Sequence, residues 1–320
     1  FTDLTPLELR RMNDEPDDSP HFGKGFLWTS LTRTSRSRRT GGRAVSTLVI
    51  AGGTDGIGKA LAERRLDGGD TVLVIGRDPA KGRAYLERAR DRGAGDRARF
   101  VTADLSLVAD TTAAIERITA EAPAVDALVL CARHYRSRRT VTPEGYEENF
   151  ALFYLSRYLL GHGLVPALRR AERPVLVNVA GPGAPLGVVR WDDLELRHGY
   201  HGGAALGHGG KLNDLLAVAF ADRYAATTDI RYVLVHPGVT ATGFSGEYDA
   251  ETLRHIRSMQ RDAKPVSAAL PPLVDVLDDP PAAPLSAFVE GRRLRVDTPD
   301  FDRSAALRLE QITERLLDGS

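Results

Sequence analysis

The sequence has a single cysteine and no hydrophobic run longer than a β-strand among its 320 residues. One cysteine excludes an internal disulfide framework and fits a reducing compartment, so we predict a cytoplasmic protein. Crossing a bilayer takes roughly 20 consecutive apolar residues, so no membrane partner is predicted. The 43 basic and 43 acidic residues cancel, which predicts no nucleic-acid partner. Cys131 lies in the apolar run 127–132 and is interpreted as an inert core thiol; no metal site is predicted.

The first 44 residues lack hydrophobic periodicity altogether. They contain Pro16, Pro20 and an acidic patch at 14–18, followed by arginines scattered among Ser, Thr and Gly. This composition is typical of disorder, and it lacks the apolar core of roughly 7–15 residues that a secretory signal needs. Two interpretations stay open. The segment is a disordered tail, or it is a non-native extension upstream of a start at Val45.

From Val45 onward, strand-like and helix-like segments alternate along the chain. Apolar strands separated by helices predict a parallel sheet that is covered on both faces and binds its ligand at the carboxyl ends of the strands. We therefore predict an α/β, doubly wound (Rossmann) parallel sheet of about seven strands, forming one domain over residues 45–320. The predicted strands are 47–51, 71–75, 99–102, 127–132, 175–179, 232–236 and 285–290. The predicted helices are 56–66, one from Pro79, 108–120, a long stretch within 144–170, 211–224 and 305–317, with a substrate-covering loop near 182–203.

A glycine-rich turn follows the first strand and opens directly into a helix. Gly52, Gly53, Gly56, Ile57 and Gly58 occupy this turn. Glycines permit a tight turn and a close approach of the backbone, and free N–H groups at the helix start attract an anion. The position between a strand and a helix predicts a binding site for a dinucleotide pyrophosphate.

Charged residues also stand at the ends of the second and third predicted strands. Arg77 ends the second strand and favours the 2′-phosphate of NADP(H) over the ribose hydroxyls of NAD(H), although Asp78 is its neighbour. Asp104 ends the third strand, where its carboxylate either accepts from an adenine amino group or caps the next helix together with Ser106.

These motifs together resemble the short-chain dehydrogenases/reductases, and the retinol-dehydrogenase-like branch in particular. The turn 51–58 resembles the family's Thr-Gly-x-x-x-Gly-Ile-Gly motif, and Asp104-Leu105-Ser106 resembles its adenine-side motif. The resemblance implies that Leu105, and Ala132 at the end of the fourth strand, contact the cofactor. It implies the same for Pro237, Gly238 and Thr242, which match Pro-Gly-x-x-x-Thr.

The catalytic tetrad that the resemblance implies, Asn-Ser-Tyr-Lys, is largely missing from this sequence. Lys211 stands at the lysine position, but Gly207 replaces the tyrosine four residues earlier. Ala180 and Gly181 stand at the serine position, and Phe153 stands at the asparagine position. We therefore expect Lys211 to bind the nicotinamide ribose, where the resemblance places the family's lysine.

Other residues are candidates for the missing proton donor. His208 would share a helix face with Lys211, and its ordinary pKa suits acid–base work. Tyr200 and His201 lie in the predicted substrate-covering loop. The basic run 133–139 is interpreted as a solvated loop, with contact to an anionic substrate or to the cofactor phosphates as the alternative.

Three functions fit these observations. The first is an atypical NADP(H)-dependent oxidoreductase that acts on a carbonyl, alcohol or enone of a bulky, apolar small molecule. The second is a non-redox enzyme on the same fold, such as a dehydratase, isomerase or cyclase. The third is a non-catalytic NADP(H)-binding sensor or partner protein. The resemblance also implies a homodimer or homotetramer.

Overall fold

Apolar, β-branched segments form the strands of a central eight-stranded sheet, and most of their residues are fully buried. The computed structural model describes residues 45–242 and 246–319, so the expectation for residues 1–44 lies outside the described residues. In chain order the strands are β1 (Thr47–Ala51), β2 (Thr71–Gly76), β3 (Ala98–Thr102), β4 (Ala127–Leu130), β5 (Tyr135–Arg136), β6 (Val175–Val179), β7 (Arg231–His236), β8 (Gly246–Glu247), β9 (Leu285–Val289) and β10 (Arg292–Leu294).

The sheet has the strand order β10-β9-β7-β6-β4-β1-β2-β3. Every pairing in it is parallel except that of β10 with β9 at one edge. After β3 the chain crosses to β4 on the other side of β1, which creates a switch point at the carboxyl ends of β1 and β4. Sheets of this type bind ligands at such a point. The prediction of a doubly wound α/β sheet in one domain is confirmed, with eight strands in place of about seven.

The helices lie between the strands, as the alternation predicted. Among the described residues, no helix has both the length and the apolar character that a bilayer crossing requires. The helices are α1 (Gly56–Asp67), α2 (Pro79–Asp91), α3 (Val108–Glu121), the composite helix α4 (α-helical Glu148–Phe150, π-helical Ala151–Leu155 and α-helical Ser156–Gly163), α5 (Val165–Leu168), α6 (Gly202–Tyr224), α7 (Ala250–Asp262), α8 (Val266–Ala269), α9 (Pro271–Asp278) and α10 (Arg303–Asp318).

Two apolar clusters cover the two faces of the sheet. On one face, side chains of α1, α2 and α9, including Leu61, Tyr85 and Leu273, pack against the strands. On the other face, side chains of α3, α4 and α6, including Ile118 and Leu160, do the same. A third cluster joins α4, α6 and α10. Burial of both faces explains why the strands are apolar throughout rather than alternating with polar residues.

The structure differs from the sequence prediction at two places that matter for the site. Strand β10 follows β9 through a two-residue turn in which Glu290 and Gly291 have φ values of 52° and 80°, as a type I′ hairpin turn requires. Helix α6 begins at Gly202 rather than at Lys211. Glycine costs helix stability, which is why the sequence predicts a loop over the glycine-rich start of α6. Its glycines allow close packing instead: a Cβ at Gly209 would lie 2.7 Å from Cδ1 of Phe153.

Candidate functional site

The glycine turn between β1 and α1 has the geometry of an anion-binding site. Asp55 caps α1 by accepting a hydrogen bond from the N–H of Gly56 at 2.8 Å. The described residues provide no hydrogen-bond partner for the N–H groups of Ile57 and Gly58. Unpaired N–H groups at the start of a helix attract negative charge, and the helix dipole adds to this attraction.

Close backbone contacts at this turn exclude any side chain larger than glycine. Gly52 has a φ of +78°, and a Cβ there would lie 2.7 Å from the backbone of Ala132 at the end of β4. A Cβ at Gly58 would lie 2.4 Å from the carbonyl oxygen of Gly52. A Cβ at Gly56 would lie 3.1 Å from Cγ2 of Thr242. The structure therefore brings together four sequence-predicted cofactor residues, Gly52, Gly56, Ala132 and Thr242. The remaining glycine of the turn, Gly53, packs against Val74 of β2.

Positive charge surrounds the turn at the end of β2. Arg77 is exposed, and no described residue forms an ion pair or hydrogen bond with its guanidinium. The neighbouring Asp78 caps α2, since its carboxylate accepts from the N–H groups of Ala80 at 2.8 Å and Lys81 at 3.3 Å. The Nζ of Lys81 lies 2.7 Å from Oδ2 of Asp55 and holds the pKa of that carboxyl below its usual range. Arg77 is thus free to bind an anion, whereas Asp78 is committed to the helix start.

The carboxylate of Asp104 lies at the end of β3 with one oxygen engaged and the other available. Its Oδ1 accepts hydrogen bonds from the N–H of Ser106 at 3.0 Å and from the Ser106 hydroxyl at 2.7 Å. The structure gives Oδ2 no partner among the described residues, while Leu105 beside it is buried. Asp104 does not cap the next helix: α3 begins after Leu107 without a side-chain cap, and the N–H groups of Val108 and Ala109 donate to Glu144 at 2.5 Å and 2.9 Å. The Oδ2 atom of Asp104 keeps an acceptor site for the other alternative, a contact with an adenine amino group.

The segment after β7 lies over the glycine turn. Pro237 is buried, and Gly238 has a φ of +86°. A Cβ at Gly238 would lie 2.3 Å from Oε1 of Glu290 and 2.8 Å from Nζ of Lys264. This packing directs the chain toward Thr242 at Gly56. The glycine cradle, the free N–H groups and the unpaired Arg77 together fit a dinucleotide with its pyrophosphate at the start of α1.

The positions of the missing catalytic groups leave apolar and open space. Ala180 is buried at the end of β6, and a Cβ at Gly181 would lie 3.8 Å from Cδ2 of His236. No atom outside α6 lies within 4 Å of a Cβ built at Gly207. Phe153 fills the asparagine position with a buried ring in the π-helical part of α4. No neutral hydroxyl or amide side chain stands at these positions.

Lys211 does not extend toward the glycine turn. Its ammonium is completely buried and lies 2.7 Å from Oδ2 of Asp214. It also donates to the carbonyl of Asp300 at 3.1 Å and lies 5.0 Å from the ring centre of Phe301. In this structure Asp214, one helical turn away, holds the ammonium, and binding of the cofactor ribose by Lys211 stays a prediction.

The ring of His208 is buried, and the charged groups that influence it are Arg190 and Asp193 of the preceding connection. Burial, together with a smaller effect of the Arg190 charge, lowers the pKa of His208 to about 4. The role of His208 as the proton donor stays a prediction. The Nε2 atom of His208 is buried without a hydrogen-bond partner among the described residues, as is common for a histidine in a hydrophobic core.

Tyr200 and His201 stand at the start of α6. The hydroxyl of Tyr200 accepts a hydrogen bond from Nδ2 of Asn149 at 2.6 Å and donates to the carbonyl of Arg136 at 3.2 Å. Burial raises the pKa of this phenol further above its usual range. His201 precedes the first helical residue and is exposed. Tyr200 therefore joins α4 to the β5 segment, and neither residue reaches the glycine turn.

A buried arginine lies beneath the vacated positions, and sequence reasoning missed it. Arg157 of α4 donates to Oδ1 of Asn178, to the carbonyl of Val179 at 3.0 Å and to the carbonyl of Ala132 at 3.0 Å. Its Cζ lies 4.4 Å from the ring centre of Phe153. Burial lowers the pKa of Arg157 to about 9, and no described carboxylate pairs with it. Its spacing from Phe153 on α4 was the available signal, since residues four apart share a helix face.

The basic run after β4 is not the solvated loop that the sequence suggested. Arg136 is buried and pairs with Glu148 at 2.5 Å and with Glu247 at 3.1 Å. His134 is also buried, and desolvation lowers its pKa to about 4. Arg133 differs from both: it is exposed, has no ion-pair partner among the described residues, and places its Cζ 5.6 Å from the ring centre of Phe153.

Comparison with known proteins agrees with the motifs. Residues 46–191 match the model of the short chain dehydrogenase family. The chain is 32% identical to a probable oxidoreductase of Streptomyces lividans over 233 residues, covering 71% of this chain and 74% of that protein. It is 29% identical to retinol dehydrogenase 12 of Mus musculus over 192 residues, covering 60% of each chain. The chain thus spans about three fifths of the length of the mouse relative.

Solved structures share the fold. A short chain dehydrogenase from Shigella flexneri 2a, determined as a complex with NADP, has a TM-score of 0.59 at 17% identity. The superposition covers 77% of this chain and 97% of that one. A protein from Mycobacterium paratuberculosis reaches a TM-score of 0.65 at 20% identity, covering 85% of this chain and 92% of that one. At this level of identity the likeness concerns the arrangement of strands and helices.

Proposed function

The chain belongs to the short-chain dehydrogenase/reductase superfamily, in its retinol-dehydrogenase-like branch, and on that basis we propose that it is an atypical NADP(H)-dependent oxidoreductase. The proposed substrate is a carbonyl, alcohol or enone group on a bulky, apolar small molecule. The observation that carries the proposal is the glycine turn, where Gly52 and Gly58 admit no Cβ and the N–H groups of Ile57 and Gly58 have no partner among the described residues. Unpaired N–H groups at a helix start attract an anionic group such as a pyrophosphate.

Arg77 supports NADP(H) in preference to NAD(H). The 2′-hydroxyl of NAD(H) is usually held by an acidic residue at the end of this strand, but Asp78 is occupied as the cap of α2. Arg77 is unpaired among the described residues, and Lys81 compensates the charge of Asp55. The solved relative from Shigella flexneri contains NADP, which agrees with this choice.

In the proposed reaction the cofactor supplies the hydride, and the residues of the chain bind and orient the cofactor and the substrate. A bound reduced nicotinamide supplies a hydride to the substrate carbon, and the residues of the glycine turn, Asp104 and Thr242 hold and orient the dinucleotide. Ala180, Gly181 and Gly207 leave room for an apolar substrate where the resemblance implies polar side chains, and Phe153 makes the asparagine position apolar. A positioned general acid contributes about 10²–10⁴ in rate, so we expect slower turnover than in relatives with a complete tetrad. Assembly as a homodimer or homotetramer and a cytoplasmic location stay predictions of the sequence.

Calorimetric titration of the full chain with NADPH and then NADH tests the cofactor proposal. We expect micromolar binding of NADPH. Arg77→Gln should weaken NADPH by about 10–100-fold, because a charge-assisted bond to phosphate contributes about 1.5–3 kcal/mol, and should leave NADH unchanged. Arg83→Gln, an exposed arginine on α2, is the matched control and should affect neither.

Turnover then separates this proposal from the two other functions. NADPH consumption with a panel of bulky ketones, aldehydes and enones supports the oxidoreductase. Product formation at constant NADPH identifies a non-redox enzyme, and NADPH binding without any turnover identifies a sensor or partner protein. The buried Lys211–Asp214 pair favours the non-redox enzyme and the sensor or partner protein, because it holds the lysine of the implied tetrad away from the cleft. Absence of binding by either dinucleotide would refute the proposal itself.

A further inference from the structure

We propose that Arg133 binds the reacting oxygen of the substrate, in place of the serine and tyrosine that this chain lacks. The inference rests on the proposed oxidoreductase function and adds a catalytic residue to it. Arg133 lies three residues after the end of β4 at Leu130, and it follows Ala132, whose backbone lies against Gly52 of the glycine turn. None of the site roles that the resemblance implies falls on Arg133, so the resemblance does not explain its charge.

The aromatic ring of Phe153 positions the Arg133 guanidinium. The Cζ of Arg133 lies 5.6 Å from the centre of that ring, within the range of a cation–π contact. Phe153 is itself held tightly, because Arg157 lies 4.4 Å from the ring centre and Gly209 of α6 packs against its edge. The carbonyl of Phe153, in the π-helical turn of α4, accepts a hydrogen bond from Nδ2 of Asn213 at 2.7 Å. The support under Arg133 is therefore rigid.

The charges around Arg133 are unbalanced. The ionisable groups that interact with it are His236, Tyr248 and Arg157, and none of the described carboxylates forms an ion pair with it. Burial lowers the pKa of His236, and the Arg133 charge lowers it as well. Arg157 below adds a second cation, and its Nε is buried without a partner among the described residues. Two guanidiniums without a carboxylate make this region positively charged, so it attracts an anionic group.

The vacated positions place the substrate beside this charge. Gly181 at the serine position faces His236, which in turn interacts with Arg133. Gly207 at the tyrosine position faces open space. A carbonyl oxygen at these positions has no neutral side-chain donor from Ala180, Gly181, Gly207 or Phe153, and we infer that Arg133 donates to it instead. Arginine keeps its proton at all physiological pH values, so it acts as a hydrogen-bond donor rather than as the acid.

The reaction step balances without a further residue. A bound reduced nicotinamide would supply a hydride that forms a C–H bond at the carbonyl carbon, and the electron pair of the broken C=O π bond would pass to the oxygen as an oxyanion. Arg133 binds that oxyanion through its N–H groups, and water supplies the proton that converts it to the alcohol. Nicotinamide is oxidised and the carbonyl is reduced. One oxyanion donor contributes about 10²–10³ in turnover, which compensates in part for the missing serine and tyrosine.

A phenol that becomes anionic tests Arg133 without any turnover. In the presence of the full chain, 4-nitrophenol is titrated and its yellow anion is followed by absorbance. We expect the apparent pKa of the bound phenol to fall by about 1–3 units below that of free phenol, as an opposite charge within reach produces. Arg133→Gln should abolish the shift, and Arg133→Lys should keep part of it because the charge remains.

Arg138→Gln is the matched control, since Arg138 is an exposed arginine of the same segment, and it should leave the shift unchanged. The thermal midpoints of all variants show whether they fold. An unshifted pKa, no binding of the phenol, or the same shift in a folded Arg133→Gln variant would each overturn the proposal. In the turnover assay, Arg133→Gln should lower NADPH consumption by about 10²–10³.

NADPH binding measured on the same samples separates this inference from the proposed function. If NADPH binds and the phenol shift is absent, Arg133 is not the oxyanion group and the oxidoreductase proposal stands. If the pKa of the bound phenol is shifted and NADPH does not bind, the anion site at Arg133 is supported and the proposed oxidoreductase function is refuted. Arg77→Gln should weaken NADPH while leaving the phenol shift intact, because Arg77 lies at the end of another strand.

Discussion

Glycine has two different physical roles in this chain. At the turn after β1, Gly52 and Gly58 admit no side chain because backbone atoms lie within 3 Å of a Cβ there. A Cβ at Gly207 would meet no atom outside its helix within 4 Å, and the nearest atom to a Cβ at Gly181 would be Cδ2 of His236 at 3.8 Å. The first two positions therefore require glycine, whereas the other two have space for a side chain.

Alanine substitution separates these two uses of glycine within helix α6. A Cβ at Gly207 contacts nothing within 4 Å outside the helix, so Gly207→Ala should raise the free energy of unfolding by about 0.5–1 kcal/mol through helix propensity. A Cβ at Gly209 would lie 2.7 Å from Phe153, so Gly209→Ala should lower it by about 1–3 kcal/mol through overpacking. Urea denaturation of the two variants measures both effects. Equal effects of the same sign would show that Gly207 is not open.

Among the structural elements, α4 and α6 carry the departures that the sequence could not predict. The strand pattern, the glycine turn and the cap at Asp78 follow from local rules, namely apolar runs, glycine placement and helix capping. The π-helical turn at Ala151–Leu155 and the early start of α6 depend on contacts between distant segments, such as Phe153 with Gly209. Arg133 and Arg157 could be found in the sequence, but their convergence on one ring depends on those two helices.

The position of Lys211 could likewise be predicted from the sequence only in part. Sequence spacing placed it correctly on α6, but the direction of its side chain depends on Asp214 and on the segment Pro299–Phe301, which is remote in the sequence. A buried ion pair forms only if both partners are present, since a lone buried charge is costly. The lysine therefore joins α6 to the chain before α10 in this structure.

A double-mutant cycle tests this structural role of Lys211. Lys211→Met leaves the Asp214 carboxylate buried without its cation, so we expect a loss of about 3–5 kcal/mol in the free energy of unfolding. Asp214→Leu combined with Lys211→Met removes both charges and should recover most of that loss. Chemical denaturation of the two single variants and the double variant gives the coupling energy. Additive losses would show that the two side chains do not interact, and an unchanged Lys211→Met would contradict the buried pair.

Over the whole molecule, buried ionisable groups set the pH range in which the fold is stable. Three of the eight histidines, His134, His162 and His208, have pKa values lowered to about 4 by burial, from an ordinary 6.5. These histidines are neutral in the folded chain, so acid favours the unfolded chain, which binds their protons more tightly. Asp214 opposes this trend, because burial raises its pKa to about 6, and Glu147, whose pKa burial also raises, acts in the same direction.

The histidines outnumber the raised carboxyls, which fixes the sign of the pH dependence. Between pH 6.5 and pH 4 the unfolded state holds more protons, so the free energy of unfolding should fall with acidification by about 1–3 kcal/mol per pH unit. The stability contributed by the histidines is complete above pH 6.5 and is lost as the pH falls through 4. His208→Leu should reduce the slope by about 1.4 kcal/mol per pH unit, because unfolding then takes up one proton fewer. His201→Gln, an exposed histidine at the start of α6, should leave it unchanged. Urea denaturation in steps of pH measures each slope, and a stability that rises on acidification would contradict the burial of these three rings in neutral form.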